Sequence, residues 1–316
     1  MITIWVPKRL VEVDLYNVAA RSPQALAQLS ENSYARRVQY AAQKVRGSGA
    51  KIVMLTGPSA SGKTTSAHCL AKALVQQGTP AQVVSLDNFF KGAAYYPKMP
   101  DGTLDYENLE TLDLPLIKQC LRQLSETGKT ELPIYDFKSG TTGSWFRMQG
   151  DRDAVIIAEG IHMLNPLIFD RVRDMATGVY VAPRTRIITT HDKIVRPEQL
   201  RVARRMIRDY QGRGHSLRQT VERAESVDRG ERNYIMPNKP NAGIHIDTFH
   251  DYEPCILARY LKEIPEFYTQ LDDAFIDEHG LTDLFEVVNS VPPLKTDYVP
   301  RDSIVREFVG GSIFQY

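Results

Sequence analysis

The stretch Lys51-Ile52-Val53-Met54-Leu55-Thr56, followed at once by Gly57-Pro58-Ser59-Ala60-Ser61-Gly62-Lys63-Thr64, constrains this chain more than any other. An apolar, β-branched run feeds a loop bounded by glycines, and Ala67, Leu70, Ala71 and Leu74 then recur at helical spacing. The loop fits G-x-x-x-x-G-K-[ST], in which successive backbone N–H groups and a helix N-terminus cradle phosphate oxygens. A bare glycine turn would need neither the strand before it nor the helix after it. Gly57, Ser59, Ala60, Ser61, Gly62, Lys63, Thr64 and Thr65 are therefore expected to hold a nucleoside triphosphate, ATP or GTP. Lys63 would reach its β- and γ-phosphates, and the Thr64 hydroxyl would sit on Mg²⁺.

Strand, loop and helix in this order predict an α/β fold of the P-loop NTPase type, a parallel sheet flanked by helices. The chain continues in kind. Gly78-Thr79-Pro80 stops the helix, Ala81–Leu86 reads as a second buried strand with Asp87 at its carboxyl end, and Ala154–Ala158 is the most strand-like run of all. Gly178–Val181 and Ile244–Ile246 supply further short strands. Helices are expected over 23–46, around Ile117, Cys120, Leu121 and Leu124, over 197–211, and through most of the last ~65 residues. Leu132–Phe137 is an extended segment, followed by a Gly/Ser/Thr-rich loop from Lys138 to Ser144. Residues 1–20 carry two β-like runs, and Gly47-Ser48-Gly49 reads as a flexible joint. This divides the chain into an N-terminal extension (1–49), a P-loop core (50–250) and a helical C-terminal segment (251–316) packed on it.

Composition narrows the partners. Of 316 residues 42% are hydrophobic, and the formal net charge is +1, so no global field points to nucleic acid or a membrane surface. No apolar run approaches the ~18 residues of a membrane span. The three scattered cysteines form no C-x-x-C pair, and Met1–Val6 has no basic flank ahead of its apolar run. A cytoplasmic protein acting on a small molecule is expected, with homo-oligomer formation left open.

In open parallel sheets, ligands sit beyond the carboxyl ends of the strands, where the P-loop, Asp87 and Glu159 all fall. Asp87 can serve as a base on a hydroxyl, as a metal carboxylate, or only as a helix N-cap. Glu159 suits a Mg²⁺ carboxylate, or simply a turn at the strand end. Arg201, Arg204, Arg205 and Arg208 share a helical stripe, either a solvated basic face or a clamp on a transferring phosphoryl group carried by a mobile lid. Gly212 and Gly214 stand ready as hinges. Tyr135 and Phe137 alternate along their strand and are core aromatics or a stacking face. The histidines show no H-E-x-x-H spacing, so no zinc site is expected.

Five motifs now stand in order: Gly57–Thr64, Ser85-Leu86-Asp87-Asn88-Phe89-Phe90, Pro133–Phe137, Ile157-Ala158-Glu159-Gly160-Ile161 and Arg201–Asp209. Over residues 50–250 the chain resembles uridine kinases, of the uridine kinase/phosphoribulokinase group of P-loop kinases. The resemblance implies phosphorylation of a nucleoside 5′-hydroxyl by ATP or GTP with Mg²⁺. It implies Asp87 as the base, Glu107 in Asp105-Tyr106-Glu107 on the ribose hydroxyls, and Tyr135 and Phe137 at the nucleobase. It further implies Arg201 and Arg204 at the transferred phosphate with Lys63, Gln219 on the substrate side, and Thr64, Glu159 and Asp87 around the metal. One departure stands out. Uridine kinases commonly carry a pyrimidine-reading histidine after Tyr-Asp-Phe, where this chain has Lys138-Ser139-Gly140. The acceptor is therefore open between a nucleoside and a non-nucleoside such as a sugar phosphate or pantothenate. Asn238-Lys239-Pro240-Asn241 has a superficial likeness to the guanine-reading N-K-x-D of GTP switches but lacks its aspartate.

Overall fold

The computed structural model describes residues 9–314, apart from 100, 101, 103, 106, 137, 138 and 171. The strands are β1 (Leu10–Glu12), β2 (Ile52–Thr56), β3 (Ala81–Ser85), β4 (Lys129–Asp136), β5 (Thr141–Gln149), β6 (Val155–Glu159), β7 (Ala176–Ala182), β8 (Arg186–Ile188), β9 (Ile194–Val195) and β10 (Ile244–Asp247). The helices that position the site are α1 (Asp14–Ala19), α2 (Pro23–Ser48), α3 (Lys63–Gln76), α4 (Leu114–Thr127), α5 (Pro166–Phe169), α6 (Pro197–Gly212), α7 (Leu217–Glu222), α8 (Ala224–Gly230) and α9 (Glu253–Glu263). Four shorter helices follow between 267 and 309.

Five parallel strands form the central sheet in the order β10-β7-β2-β6-β3, with the P-loop strand in the middle. Alternation along β2 and β6 builds two cores. Val53, Leu55 and Ile157 point into an apolar cluster with α2, α3, α6, α9 and the C-terminal residues. Ile52, Met54, Ile156 and Ala158 point into a second cluster with α4. Burial on both faces explains why these strands read as unbroken apolar runs rather than alternating ones. The chain is thus a three-layer α/β P-loop fold. Residues of α2 and of the C-terminal segment belong to the same cluster as the sheet.

Several sequence expectations change in detail. The first β-like run of residues 1–20 lies outside the described residues, and the second is the short strand β1 followed by α1. Gly47 and Ser48 extend α2 instead of forming a joint, and only Gly49, with φ +68°, ends it in the left-handed region. The loop expected at 138–144 is instead strand from Thr141, antiparallel to β4. The missing cue there is a continuous apolar pattern, because β5 is exposed along nearly its whole length.

Candidate active site

Parallel pairing carries three chemistry-bearing positions to one edge of the sheet. Leu55 and Ser85 both pair with Glu159, so the strand ends before Gly57, Asp87 and Gly160 lie side by side. Gly57 is required there by close approach, since a Cβ would come within 2.0 Å of the Val181 carbonyl oxygen. Gly62, the N-cap of α3, has φ +85°, where a side chain is strained.

The P-loop is shaped by cations gripping its carbonyls. The Lys63 ammonium donates to the Pro58 carbonyl at 3.0 Å, Arg201 Nη1 to that of Ser59 at 3.4 Å, and Arg204 Nη1 to that of Ala60 at 3.0 Å. The Ser61 N–H closes the turn on the same Pro58 carbonyl at 3.2 Å, so the loop backbone is fixed from its carbonyl side.

These contacts revise the arginine assignments. Arg201 is buried and ion-paired to Glu231 at 2.6 Å. Arg204, wholly buried, forms a two-pronged pair with Glu253, with Nη2 donating to Oε2 at 2.8 Å, and also stacks over the Phe308 ring. Both side chains support the loop through its carbonyls, and their contact with the transferred phosphate stays an expectation. The stripe is no solvated face, for α6 buries Arg201, Arg204 and Arg205 alike. The arginine with unspent donors is Arg205, whose three guanidinium nitrogens make no hydrogen bond among the described residues. Burial drives its pKa down to about 10.

Asp87 follows Ser85, which caps the short turn Leu86–Phe89 by accepting from the Asp87 N–H at 3.4 Å, so Asp87 is not itself the cap. Its side chain is open to water, yet it sits deep between cleft walls that push its carboxyl pKa up. Lys63, then Arg213 and Arg208, pull it back. Asp209 holds both arginines, Arg208 at 2.8 Å and Arg213 at 3.5 Å. The one sequence cue to Arg213 is its i, i+4 spacing from Asp209.

Glu159 is buried, and burial first, then Asp87, lifts its pKa to about 7. Thr64 Oγ1 donates to Glu159 Oε1 at 3.3 Å. A hydroxyl and a carboxylate meeting at one point, with a second carboxylate adding repulsion, fit a divalent cation that would relieve the charge. No group of three His, Cys, Asp or Glu side chains placed to hold a metal ion occurs among the described residues.

The acceptor side is built by the 105–108 loop and β4. Tyr234 donates to Asp105 Oδ2 at 2.6 Å, Asn108 Nδ2 donates to the same atom at 3.2 Å, and Gly230 packs against the Glu107 side chain, leaving no room for a Cβ. Burial raises the Glu107 pKa to about 6. Tyr135 packs on Phe90 with ring centroids 5.5 Å apart, and its hydroxyl lies 3.3 Å from that of Tyr96. Beneath the acidic loop the structure adds His162, a buried imidazole that burial keeps neutral, edge-on to Tyr234 at 6.0 Å; it came without a sequence signal. Phe137 lies outside the described residues. Gln219 is not brought to this cluster: it is spent as the third residue of a capping box, its Oε1 accepting from the Ser216 N–H at 3.0 Å. Asn238 and Asn241 are likewise engaged, each amide donating to a backbone carbonyl.

Against known proteins, residues 52–253 match the model of the phosphoribulokinase/uridine kinase family. The uridine kinase of Lactobacillus johnsonii is 30% identical over 195 residues, covering 61% of this chain and 84% of that one. The uridine kinase of Bacillus pumilus is 30% identical over 197 residues, covering 62% of this chain and 85% of its own. Among solved structures, a possible uridine kinase from Bacillus stearothermophilus aligns with TM-score 0.44 and 20% identity, over 67% of this chain and 98% of that one. A D-glycerate 3-kinase from Cryptococcus neoformans aligns with TM-score 0.42 and 17% identity, over 66% and 89%. The P-loop, the carboxylates at the strand ends and a family match spanning residues 52–253 make this chain a member of the phosphoribulokinase/uridine kinase family.

Proposed function

We propose that this protein transfers the γ-phosphate of ATP to the 5′-hydroxyl of a uridine- or cytidine-like nucleoside. Family membership makes it a phosphotransferase acting on a hydroxyl group, and the acceptor class is our reading. One observation carries it: Asp87 lies within electrostatic reach of Lys63, Arg213 and Arg208 and of the Glu107 carboxylate, and three residues further on the Phe90 ring packs on Tyr135 and Tyr96. A carboxylate suits vicinal ribose hydroxyls, and an aromatic wall suits a planar base.

In this mechanism Asp87 takes the proton of the acceptor hydroxyl as its oxygen forms a bond to the γ-phosphorus. The bond from that phosphorus to the bridging oxygen breaks, and ADP leaves. Lys63, released from the Pro58 carbonyl, and Arg205, Arg208 and Arg213 offset the charge on the transferring group. Thr64 and Glu159 would hold Mg²⁺, which neutralises phosphate oxygens, while Asp87 acts on the acceptor hydroxyl. The free thiols Cys69, Cys120 and Cys255 support a reducing compartment such as the cytoplasm.

A second reading, a phosphorylated sugar or another non-nucleoside acceptor, is favoured by the unspent guanidinium of Arg205. A panel of uridine, cytidine, inosine, ribulose 5-phosphate and pantothenate with ATP, followed by ADP release, separates the two. Turnover confined to the non-nucleosides would sink the nucleoside proposal.

Acceptor binding should depend on pH through Glu107. Its folded pKa of about 6 lies above the usual carboxylate value, so the carboxylate that accepts ribose hydroxyls forms as pH rises through 6. The acceptor KM is expected to fall between pH 5 and 7. The same shift means that ionising Glu107 costs folding stability over this window, a contribution present at low pH and lost as pH rises through 6. Glu107→Gln should flatten the KM profile. An unchanged profile in that variant would remove Glu107 from the acceptor site.

A further inference from the structure

The C-terminal segment runs along the P-loop helix outside the family match. On the same stripe of α3, Thr65 meets Glu307, Cys69 meets the Asp302 carbonyl, and Lys72 forms an ion pair with Asp302 at 3.0 Å; one turn from Thr65, His68 stacks on Phe314 with centroids 4.8 Å apart. Ile304 lies against Gly62. Glu307 is the notable member. Its Oε2 accepts from the Thr65 hydroxyl at 2.6 Å and from the Thr65 backbone N–H at 3.4 Å. That N–H belongs to the first turn of α3, whose donors serve phosphate in a P-loop. Glu307 also bears electrostatically on Glu159 and Arg213, which places its charge within the site.

We infer that Glu307 is a built-in anionic latch on the nucleotide site. It occupies donors at the start of α3 that a triphosphate needs and must be displaced when one binds. The neighbouring Ile304, Val305 and Phe308 are fully buried, so the segment stays docked while the half-buried Glu307 side chain swings. The inference rests on the triphosphate reading of the P-loop. A carboxylate there contests phosphate in two ways, by holding its donor and by adding like charge, and a neutral side chain of equal size removes the second and weakens the first.

The test is direct binding of ATP and of inorganic tripolyphosphate to the full chain. Glu307→Gln is expected to bind both probes about tenfold tighter than the parent. Glu307→Asp, which keeps the charge but shortens the reach, should gain less, and it serves if the glutamine variant fails to fold. Equal or weaker binding of both probes by the variants overturns the latch, as does a gain for ATP without one for tripolyphosphate, which would place Glu307 at the nucleoside. A parent chain that binds neither probe sinks the triphosphate reading itself.

Discussion

Asp87→Asn is expected to lower turnover at least ~10²-fold while leaving ATP affinity nearly unchanged, the scale of a lost general base. The carboxylate has the three properties the task requires. It stands at the end of β3 beside the P-loop, its side chain is open to an incoming hydroxyl, and three cations, Lys63, Arg208 and Arg213, draw it toward its ionised form against the crowding of the cleft. Asparagine keeps the shape and the Ser85 cap, because that bond uses the backbone N–H of residue 87. Binding of the triphosphate should therefore survive. Steady-state kinetics with a saturating acceptor, paired with equilibrium ATP binding, make the measurement. Turnover within threefold of the parent would take Asp87 out of the reaction, and lost ATP binding would move it to the metal instead.

Glu253→Ala should cost about 3–5 kcal/mol of stability, the usual result of stripping one partner from a buried ion pair. Arg204 and Glu253 are both 0% exposed, and they face each other through two bonds. Alanine leaves the guanidinium buried against the Phe308 ring with only the Ala60 and Thr248 carbonyls as acceptors. For a chain of this length the loss corresponds to a fall of roughly 4–8 °C in Tm. Because Arg204 holds a P-loop carbonyl, ATP affinity should fall as well, which a purely remote core defect would not produce. The double variant Arg204→Met/Glu253→Leu should recover much of the stability without recovering the affinity. A loss below ~1 kcal/mol in Glu253→Ala would mean the pair is far less desolvated than its geometry indicates.

The two variants also mark the boundary of what the residues reveal in one dimension. Strand β2, the P-loop and α3 are legible because every cue is local: β-branched burial, glycines where a Cβ cannot fit, and apolar positions at helical spacing. Asp87 and Glu159 are legible because each directly follows a buried strand, and parallel pairing brings such strand ends to one edge. The arginine stripe shows how this reasoning reaches its limit. Helical spacing says that Arg201, Arg204, Arg205 and Arg208 share a side of α6, but not which of them will meet an acid.

Glu231 lies 30 residues from Arg201, and Glu253 lies 49 from Arg204, so nothing in the local pattern announces either pair. The same holds for Glu307, 242 residues from Thr65, and for His162 beneath the acidic loop. The sequence by itself determined the fold class, the phosphate cradle and the order of the carboxylates, since these follow from neighbours along the chain. Only the tertiary structure decided which arginines support the loop, which keep unspent donors, and what rests on the P-loop helix, because a buried charge is assigned its role by partners that packing selects.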